Sequence, residues 1–572
     1  MADPTSYPCL GELLRDALIE FKSDTALVEM NRKREASRTT YLDFKRTGER
    51  VAQRLEDLGV GDGDRVAILM SNQPKWLLSA HGALFRGAVL VPLDYKLQAD
   101  EQAALMAHCT PKVLITEYPI WHKLAALDTP VAADHVLVTD APEDADLGVA
   151  SRGEALPETA EPTFVPRQAE DIATIVYSSG TGGQAKGCML SHRAYLAQAR
   201  VLMDLYPMER GDRYFSILPT NHAIDFMCGF IVPLCFGGTV VHQRTLRPEF
   251  ILDTMRRMQI THMALVPLVL TAFERAIRQK LDALPQAKRR MVEALATMNQ
   301  SLTARRPNPT VSRILLKPIH DAFGGKLQFL FCGGAFVDRK RAEFFYRLGI
   351  PVVIGYGLTE ACTVATVNDL KPFRADSVGR AVPGTEIRIV DPNPAGVGQV
   401  LMRGDTLMSG YLDAPELTAE TLQDGWLHTG DLGYVDASGH LHLVGRSKNM
   451  IVTEGGKNVY PEDIEGAFEG LPCEELVVYA ANYIWPNGNG NGSSKLTNEQ
   501  LVAVVRCQSD IPIQGLMPRL RDLNRRLPDF KRVGGVVTWE DAFPRTASMK
   551  VKRGVLADDL RDQVEREAIH AV

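Results

Sequence analysis

Apolar residues recur at helical spacing after position 40, with Phe44, Val51, Leu55 and Leu58 on one face and Gly59 as a stop. The run Val66-Ala-Ile-Leu-Met70 then reads as a strand, a second helix follows, and Ala88-Val-Leu-Val91 before Pro92 reads as another strand. Strands alternating with helices predict a parallel sheet covered on both faces. A proline- and acid-rich stretch over 140–171 interrupts the pattern. It resumes with a strand over 172–177, a glycine-rich turn and a helix from about Ser191, and further strands are expected over 263–266, 327–332 and 351–354. The segment 274–322 is rich in Lys, Arg and Ala and broken by Arg306-Pro-Asn-Pro309, so it reads as a helical insertion over the sheet. The most apolar run, 226–236, is broken by Gly229 and Pro233 and is too short to span a bilayer; it reads as buried core or ligand pocket.

From 376 to 410 the texture changes to short strands separated by Gly and Pro, which predicts a small β-rich subdomain. Beyond about Arg446 the chain looks like a separate α+β unit. Inside it, Asn487-Gly-Asn-Gly-Asn-Gly-Ser-Ser494 reads as a surface loop. With 572 residues, two or more domains are expected, and a 45% hydrophobic content can fill their cores. The formal charge of −6 gives no overall basic field, so nucleic acid is not an expected partner. Nine scattered cysteines without CxxC spacing argue against a zinc site and a disulfide framework, and with no secretory pattern at the N-terminus the expected setting is cytoplasmic.

Four segments carry candidate chemistry. In Tyr177-Ser-Ser-Gly-Thr-Gly-Gly-Gln-Ala-Lys-Gly187 a strand runs into a turn of small residues. Backbone N–H groups there could crowd around phosphate oxygens, with Ser178, Ser179 and Thr181 adding donors and Lys186 adding charge; a flexible Gly/Ser loop is the plainer alternative. In Gly355-Tyr-Gly-Leu-Thr-Glu360 the Tyr356 ring could stack on a purine and Glu360 could hold magnesium, although a tyrosine turn followed by a helix start would give the same pattern. The third segment runs from Gly425-Trp-Leu-His-Thr-Gly-Asp431 through Asp436, Gly439 and Gly445-Arg446-Ser-Lys448 to Glu454-Gly-Gly-Lys-Asn458 and Pro461-Glu462. Asp431 could accept from two ribose hydroxyls with Arg446 close by, while an ordinary β-hairpin competes as the reason for the Asp and Gly spacing. The fourth, Pro544-Arg-Thr-Ala-Ser-Met-Lys-Val-Lys-Arg553, is a basic, turn-rich segment that reads alone as a solvated surface loop.

Taken together, these segments resemble, in order and spacing, the core motifs of the adenylate-forming (AMP-binding) superfamily, most nearly its long-chain fatty acyl-CoA synthetases. The resemblance covers about residues 40–553. It implies an α/β fold: a large N-terminal domain, 1–446, of parallel-sheet α/β subdomains plus a small β subdomain, and a small α+β C-terminal lid domain, 447–572. By motif it implies a phosphate loop of Ser178, Ser179, Gly180, Thr181, Gly182, Gly183 and Lys186. Gly333, Gly334 and Ala335 would line the adenine pocket, Tyr356 with Gly357 would stack on the base, and Thr359 and Glu360 would meet phosphate and magnesium. Asp431 would anchor the ribose, Arg446 would touch the nucleotide, Lys448 would mark the hinge, Gly456 would line the pantetheine tunnel and Lys550 would be the catalytic lysine. His222 resembles the family's pocket-gating position, with a structural histidine as the alternative. Three positions depart from the usual pattern: Gly182 replaces Thr, Ala185 replaces Pro and Met549 replaces Gly.

The resemblance implies ATP, magnesium and coenzyme A, and conversion of an acid to its thioester through an acyl-adenylate. The resemblance also implies that segments matching 222–236, 266–270 and 331–357 wall the acyl pocket. These are largely apolar here and the helical insertion resembles the long-chain branch, which favours a medium- to long-chain fatty acid, with plain sheet core as the alternative reading of the apolar runs. No charged group is obviously available to pair with an amino acid's ammonium, Asp225 being the only candidate. Peripheral membrane contact is compatible with such a substrate, although no amphipathic basic helix stands out in the sequence. Two alternatives stay open: an acyl-AMP ligase that loads a carrier protein, and a non-catalytic acyl- or nucleotide-binding homologue.

Overall fold

A computed structural model describes residues 3–128, 131–179, 185–452, 458–485, 500–508, 511–546, 551–565 and 568–572. The Asn/Gly run over 487–494 lies outside the described residues. The chain divides into two compact units. The first takes in most of the chain to Ile387 together with Met402–Leu427, and the second takes in Arg388–Leu401 and His428–Val572. The boundary expected at 446/447 concerns a hinge and is taken up below as a proposal.

The first unit is α/β and, among the described residues, contains two large sheets. Five neighbours in one of them, Thr239–Gln243, Arg213–Ser216, His262–Leu265, Phe329–Gly333 and Val352–Tyr356, are parallel. The other has Ile172–Ser179, Val89–Pro92, Arg65–Leu69, Val113–Glu117 and His135–Thr139 as its parallel centre, and extends at one end through the antiparallel strands Ala185–Ser191 and Gly410–Tyr411. Leu27 and Val240 of the first sheet, Val66 and Leu90 of the second, and Leu13, Phe44, Trp76 and Tyr195 from helices belong to one buried apolar cluster. That shared core ties the two sheets together.

The helices follow from local chemistry. Thr40 caps Tyr41–Asp57 by accepting the Asp43 N–H at 3.1 Å, and Ser191 caps His192–Leu205 by accepting the Ala194 N–H at 3.2 Å. Gly48 lets the first of these lie against Pro74–Phe85, since a Cβ there would come within 2.3 Å of the His81 ring. The expected insertion is present as Pro267–Asp282, Gln286–Leu302, Pro309–Leu315 and Lys317–Ala322, which together form the crossover between two parallel neighbours. The proline pair falls where the sequence suggests, and Asn308 caps the helix that Pro309 begins. The apolar run 226–236 is helical with one π-helical turn, Met227–Ile231, and its Phe226, Phe230 and Leu234 lie in the shared core.

In the second unit a hairpin of Trp426–Val435 and Leu441–Arg446 pairs Asp431 with Arg446. The α+β part has a sheet ordered Cys473–Ala480, Leu501–Cys507, Val533–Thr538, His570–Ala571. Alternate residues of these strands feed two cores: Val478, Ala503 and Val505 join Leu516 and Leu520, while Val477, Val502 and Val504 join Leu556 and Leu560.

Several histidines are buried in the first unit. Burial pushes His81 and His242 down to about 3 and His192 and His320 to about 4. The Nδ1 of His192 accepts the Leu10 N–H at 3.2 Å, which requires the neutral ring. A folded-state value below the unfolded one, about 6.5, means that this stability is complete above about pH 6.5 and is lost as pH falls toward 4. We expect the urea midpoint of the first unit to drop between pH 7.5 and pH 5; an unchanged midpoint would contradict this role for the buried histidines.

Candidate active site

Strand register assembles the site from one side. In the hairpin of Ile172–Ser179 with Ala185–Ser191, Ser178 pairs with Lys186, and on the far side of the return strand Tyr411 pairs with Cys188. Three adjacent strands therefore bring Ser178, Lys186, Cys188 and Tyr411 together. From the other sheet, Val352–Tyr356 ends at Tyr356 and the chain turns through Gly357 and Leu358 into a single 3-10 turn, Thr359–Ala361. Glu360 on that turn is where the two sheets meet chemically: its Oε1 accepts the Tyr411 hydroxyl at 3.0 Å and the Ser178 hydroxyl at 3.3 Å.

Among the described residues Glu360 forms no ion pair, so its charge is held by two neutral donors. Burial first, and then the nearby Glu360 charge, push the Tyr411 phenol far above its ordinary value, so Tyr411 stays protonated as a donor. The same two causes raise the Cys188 thiol, which donates to the Ser178 oxygen at 3.7 Å. The Lys186 ammonium lies 5.2 Å from the centre of the Tyr411 ring, so one tyrosine touches both the lysine of the glycine-rich turn and the carboxylate. Tyr411 was not among the residues singled out from sequence. Its strand, Gly410–Tyr411, is too short to give a periodic signal.

The turn carrying Glu360 is set by close approach. A Cβ on Gly357 would come within 1.8 Å of the Thr363 carbonyl oxygen, and the Ala365 N–H reaches back to the Tyr356 carbonyl at 2.8 Å. Tyr356, Thr359 and Glu360 are left half-buried. Gly333 pairs with Gly355 on the neighbouring parallel strand, and Gly334 and Ala335 follow it as exposed residues. These groups lie at the carboxyl ends of parallel strands, where open α/β sheets bind ligands.

His222 follows the strand Arg213–Ser216 of the same sheet, half-buried at the start of Ala223–Phe226. Asp225, considered above as a partner for an ammonium, has another role: it is fully buried and accepts the hydroxyls of Ser216 at 2.7 Å, Thr220 at 3.0 Å and Tyr214 at 3.1 Å. Burial pushes it up to about 6 despite these donors. It ties the helix start to its strand, and its carboxylate is already committed.

The second unit holds its own group. Arg446 Nε lies 2.9 Å from Asp431 Oδ1, the Asp431 N–H donates to Thr429 Oγ1 at 3.0 Å, and Thr429 donates to the Val400 carbonyl at 2.6 Å. Asp431 is 5% exposed, whereas Lys448 is exposed on the turn Ser447–Asn449. The hairpin explanation holds for Asp436 and Gly439, since Asp436 accepts the N–H groups of Ser438 and His440 within the turn. Gly180, Thr181, Gly182, Gly183, Gly456 and Lys550 lie outside the described residues, as does the Ser179 side chain. Ala185 opens the return strand opposite Ser179. On either side of 547–550 the chain is held by Glu475, which accepts the Phe543 N–H at 3.0 Å and pairs with Arg545, and by an Arg545–Val551 bridge.

Clusters of three or more His, Cys, Asp or Glu that could cage a metal are absent among the described residues. Glu360 remains as a lone carboxylate without a described counter-cation, the donor set magnesium uses when it keeps its waters and shares substrate phosphates.

The profile of the family described as AMP-binding enzyme matches residues 14–412. A feruloyl-CoA synthase of Amycolatopsis sp is 30% identical over 525 residues, which cover 90% of this chain and 92% of that protein. A long-chain-fatty-acid–CoA ligase of Gallus gallus is 31% identical over 436 residues, covering 70% of this chain and 56% of that longer protein. Among solved structures, the O-succinylbenzoate coenzyme A synthetase of Bacillus subtilis in complex with AMP has a TM-score of 0.73 at 20% identity, covering 97% of this chain and 98% of that one; at this identity the likeness speaks for the fold. A family match that runs through both sheets and the turn bearing Glu360, with a full-length relative beside it, shows that the protein belongs to the AMP-binding enzyme family.

Proposed function

We propose that this protein is an AMP-forming acid–CoA ligase whose acid is a medium- to long-chain fatty acid. The observation that carries the nucleotide half is Glu360, held between the two sheets by Ser178 and Tyr411. Support for thioester formation comes from the relatives, which are CoA ligases or synthases of different acids. Support for a fatty acid comes from the apolar character of 266–270, the helical insertion and the Gallus gallus relative; the feruloyl-CoA synthase makes an aromatic acid the rival.

A carboxylate resists attack by a thiol because its charge repels the nucleophile and oxide is a poor leaving group. Transfer to AMP removes both obstacles. In this reading Ser178, Ser179, Thr181 and Lys186 hold the phosphates of ATP, Tyr356 stacks on adenine beside Gly333, Gly334 and Ala335, and Asp431 binds the ribose. Lys550 stabilises charge developing as the acid oxygen attacks the α-phosphorus and pyrophosphate leaves. Magnesium on Glu360 would neutralise phosphate charge. Coenzyme A then attacks the acyl carbonyl and AMP leaves. The domain boundary at 446/447, a hinge at Lys448 and a thiol path along Gly456 belong to this proposal.

Assays across straight-chain acids from acetate to stearate, with ATP, magnesium and coenzyme A, should give a rate maximum at medium or long chains with AMP and thioester in equal amounts. A preference for ferulate would overturn the choice of acid, and adenylate without thioester would point to a carrier-protein acceptor. Lys550→Ala should lower acid-dependent pyrophosphate release at least ~100-fold while ATP still binds; unchanged release would remove Lys550 from the mechanism. Tyr411→Phe removes one hydrogen bond to a charged group, of about 1.5–3 kcal/mol, so kcat/KM for ATP should fall roughly tenfold or more with little change in Tm; an unchanged kcat/KM would separate Tyr411 from the work of Glu360.

A further inference from the structure

The helical insertion leaves an apolar edge uncovered. On Gln286–Leu302, Met291, Met298 and Leu302 are 57%, 43% and 64% exposed. Their spacing of seven and then four residues puts all three within roughly 40° of one helix face. On the next helix, Pro309–Leu315, Ile314 is 73% exposed. The inner face is already satisfied: Ala296 is buried with Leu316 and Leu348, and Asn299 accepts the Ser312 hydroxyl at 2.8 Å and donates to the Arg347 carbonyl at 3.2 Å. The exposed side chains are therefore surplus to the core.

The charge around that edge runs against the rest of the chain. Residues 267–322 hold ten Lys and Arg against four Asp and Glu, net +6, in a chain whose total is −6, which leaves −12 for everything else. Lys288, Arg290, Arg305 and Arg306 flank the stripe in sequence and, among the described residues, form no ion pair. Cations alone would suit any polyanion, but a nucleic-acid backbone gives nothing to Met and Leu tips. The centre of a protein–protein contact is depleted in charged residues, whereas Lys and Arg flank this stripe at both ends. An anionic lipid surface satisfies both features, with basic side chains at the headgroups and apolar tips at the acyl boundary.

We propose that the helix Gln286–Leu302, with Ile314 beside it, is a docking surface for an anionic membrane. The amphipathic character not evident from sequence alone is explained by packing: Ala296 and Asn299 are buried and Val292 and Leu295 pack on the same inner cluster, so the apolar residues left over, Met291, Met298 and Leu302, fall on the outer face. This surface does not depend on which acid the protein activates.

Sedimentation of the full-length protein with vesicles tests it. The protein should bind vesicles of phosphatidylcholine with about 30% phosphatidylglycerol, not phosphatidylcholine alone, and should be released by salt. Arg290→Glu and Arg305→Glu should each weaken binding about fivefold or more, and Met298→Asp with Leu302→Asp by at least as much, with Tm and ATP affinity unchanged. Absence of vesicle binding, equal binding by native protein and variants, or binding to duplex DNA that survives Met298→Asp would overturn the proposal.

Discussion

The proposed chemistry depends on a single carboxylate, Glu360, held between two sheets. Glu360 reaches from the end of one parallel sheet to hydroxyls on the other, and the geometry works only because three strands of the second sheet are in a fixed register. A shift of one residue in either pairing would turn Ser178 or Tyr411 to the opposite face and leave Glu360 without its donors. The shared core of Phe44, Trp76, Tyr195 and Phe226 keeps the sheets at the separation this contact requires. Packing, register and site are therefore one constraint seen at three scales.

Two hydroxyls orient Glu360, and burial keeps Tyr411 protonated as one of those donors. Lys186 of the return strand lies over the ring of the same tyrosine. Asp225 shows the opposite solution: three hydroxyls and complete burial commit its carboxylate to holding a helix start. Two acids in one unit thus differ in role because of exposure and partners, not residue type.

Much of this was legible in the sequence. The parallel strands, the helices after Thr40 and from about Ser191, the helical insertion with its proline break and the α/β class all follow from local period and breaker residues. The turn bearing Tyr356 and Glu360 was marked by its glycines, and Gly357 proves indispensable because a backbone carbonyl occupies the place of its side chain. Tyr411 escaped because its partner lies 51 residues away and its strand is two residues long. The role of Asp225 stays open in the sequence, which shows a carboxylate near an apolar run but not the hydroxyls that converge on it. The exposed methionine edge escaped for a related reason: which face of a helix is inner depends on neighbours that sequence alone does not place.

In the proposed reaction the acid is activated by direct bonding of its oxygen to the α-phosphorus of ATP. Carboxyl ¹⁸O-labelled palmitate, turned over with ATP, magnesium and coenzyme A, tests that bond directly through mass spectrometry of the nucleotide product. One labelled oxygen per AMP is expected, since the acid's oxygen stays with phosphorus when the thiol displaces it. ADP as the nucleotide product with the label in inorganic phosphate, or AMP free of label with the label in pyrophosphate, would rule that bond out.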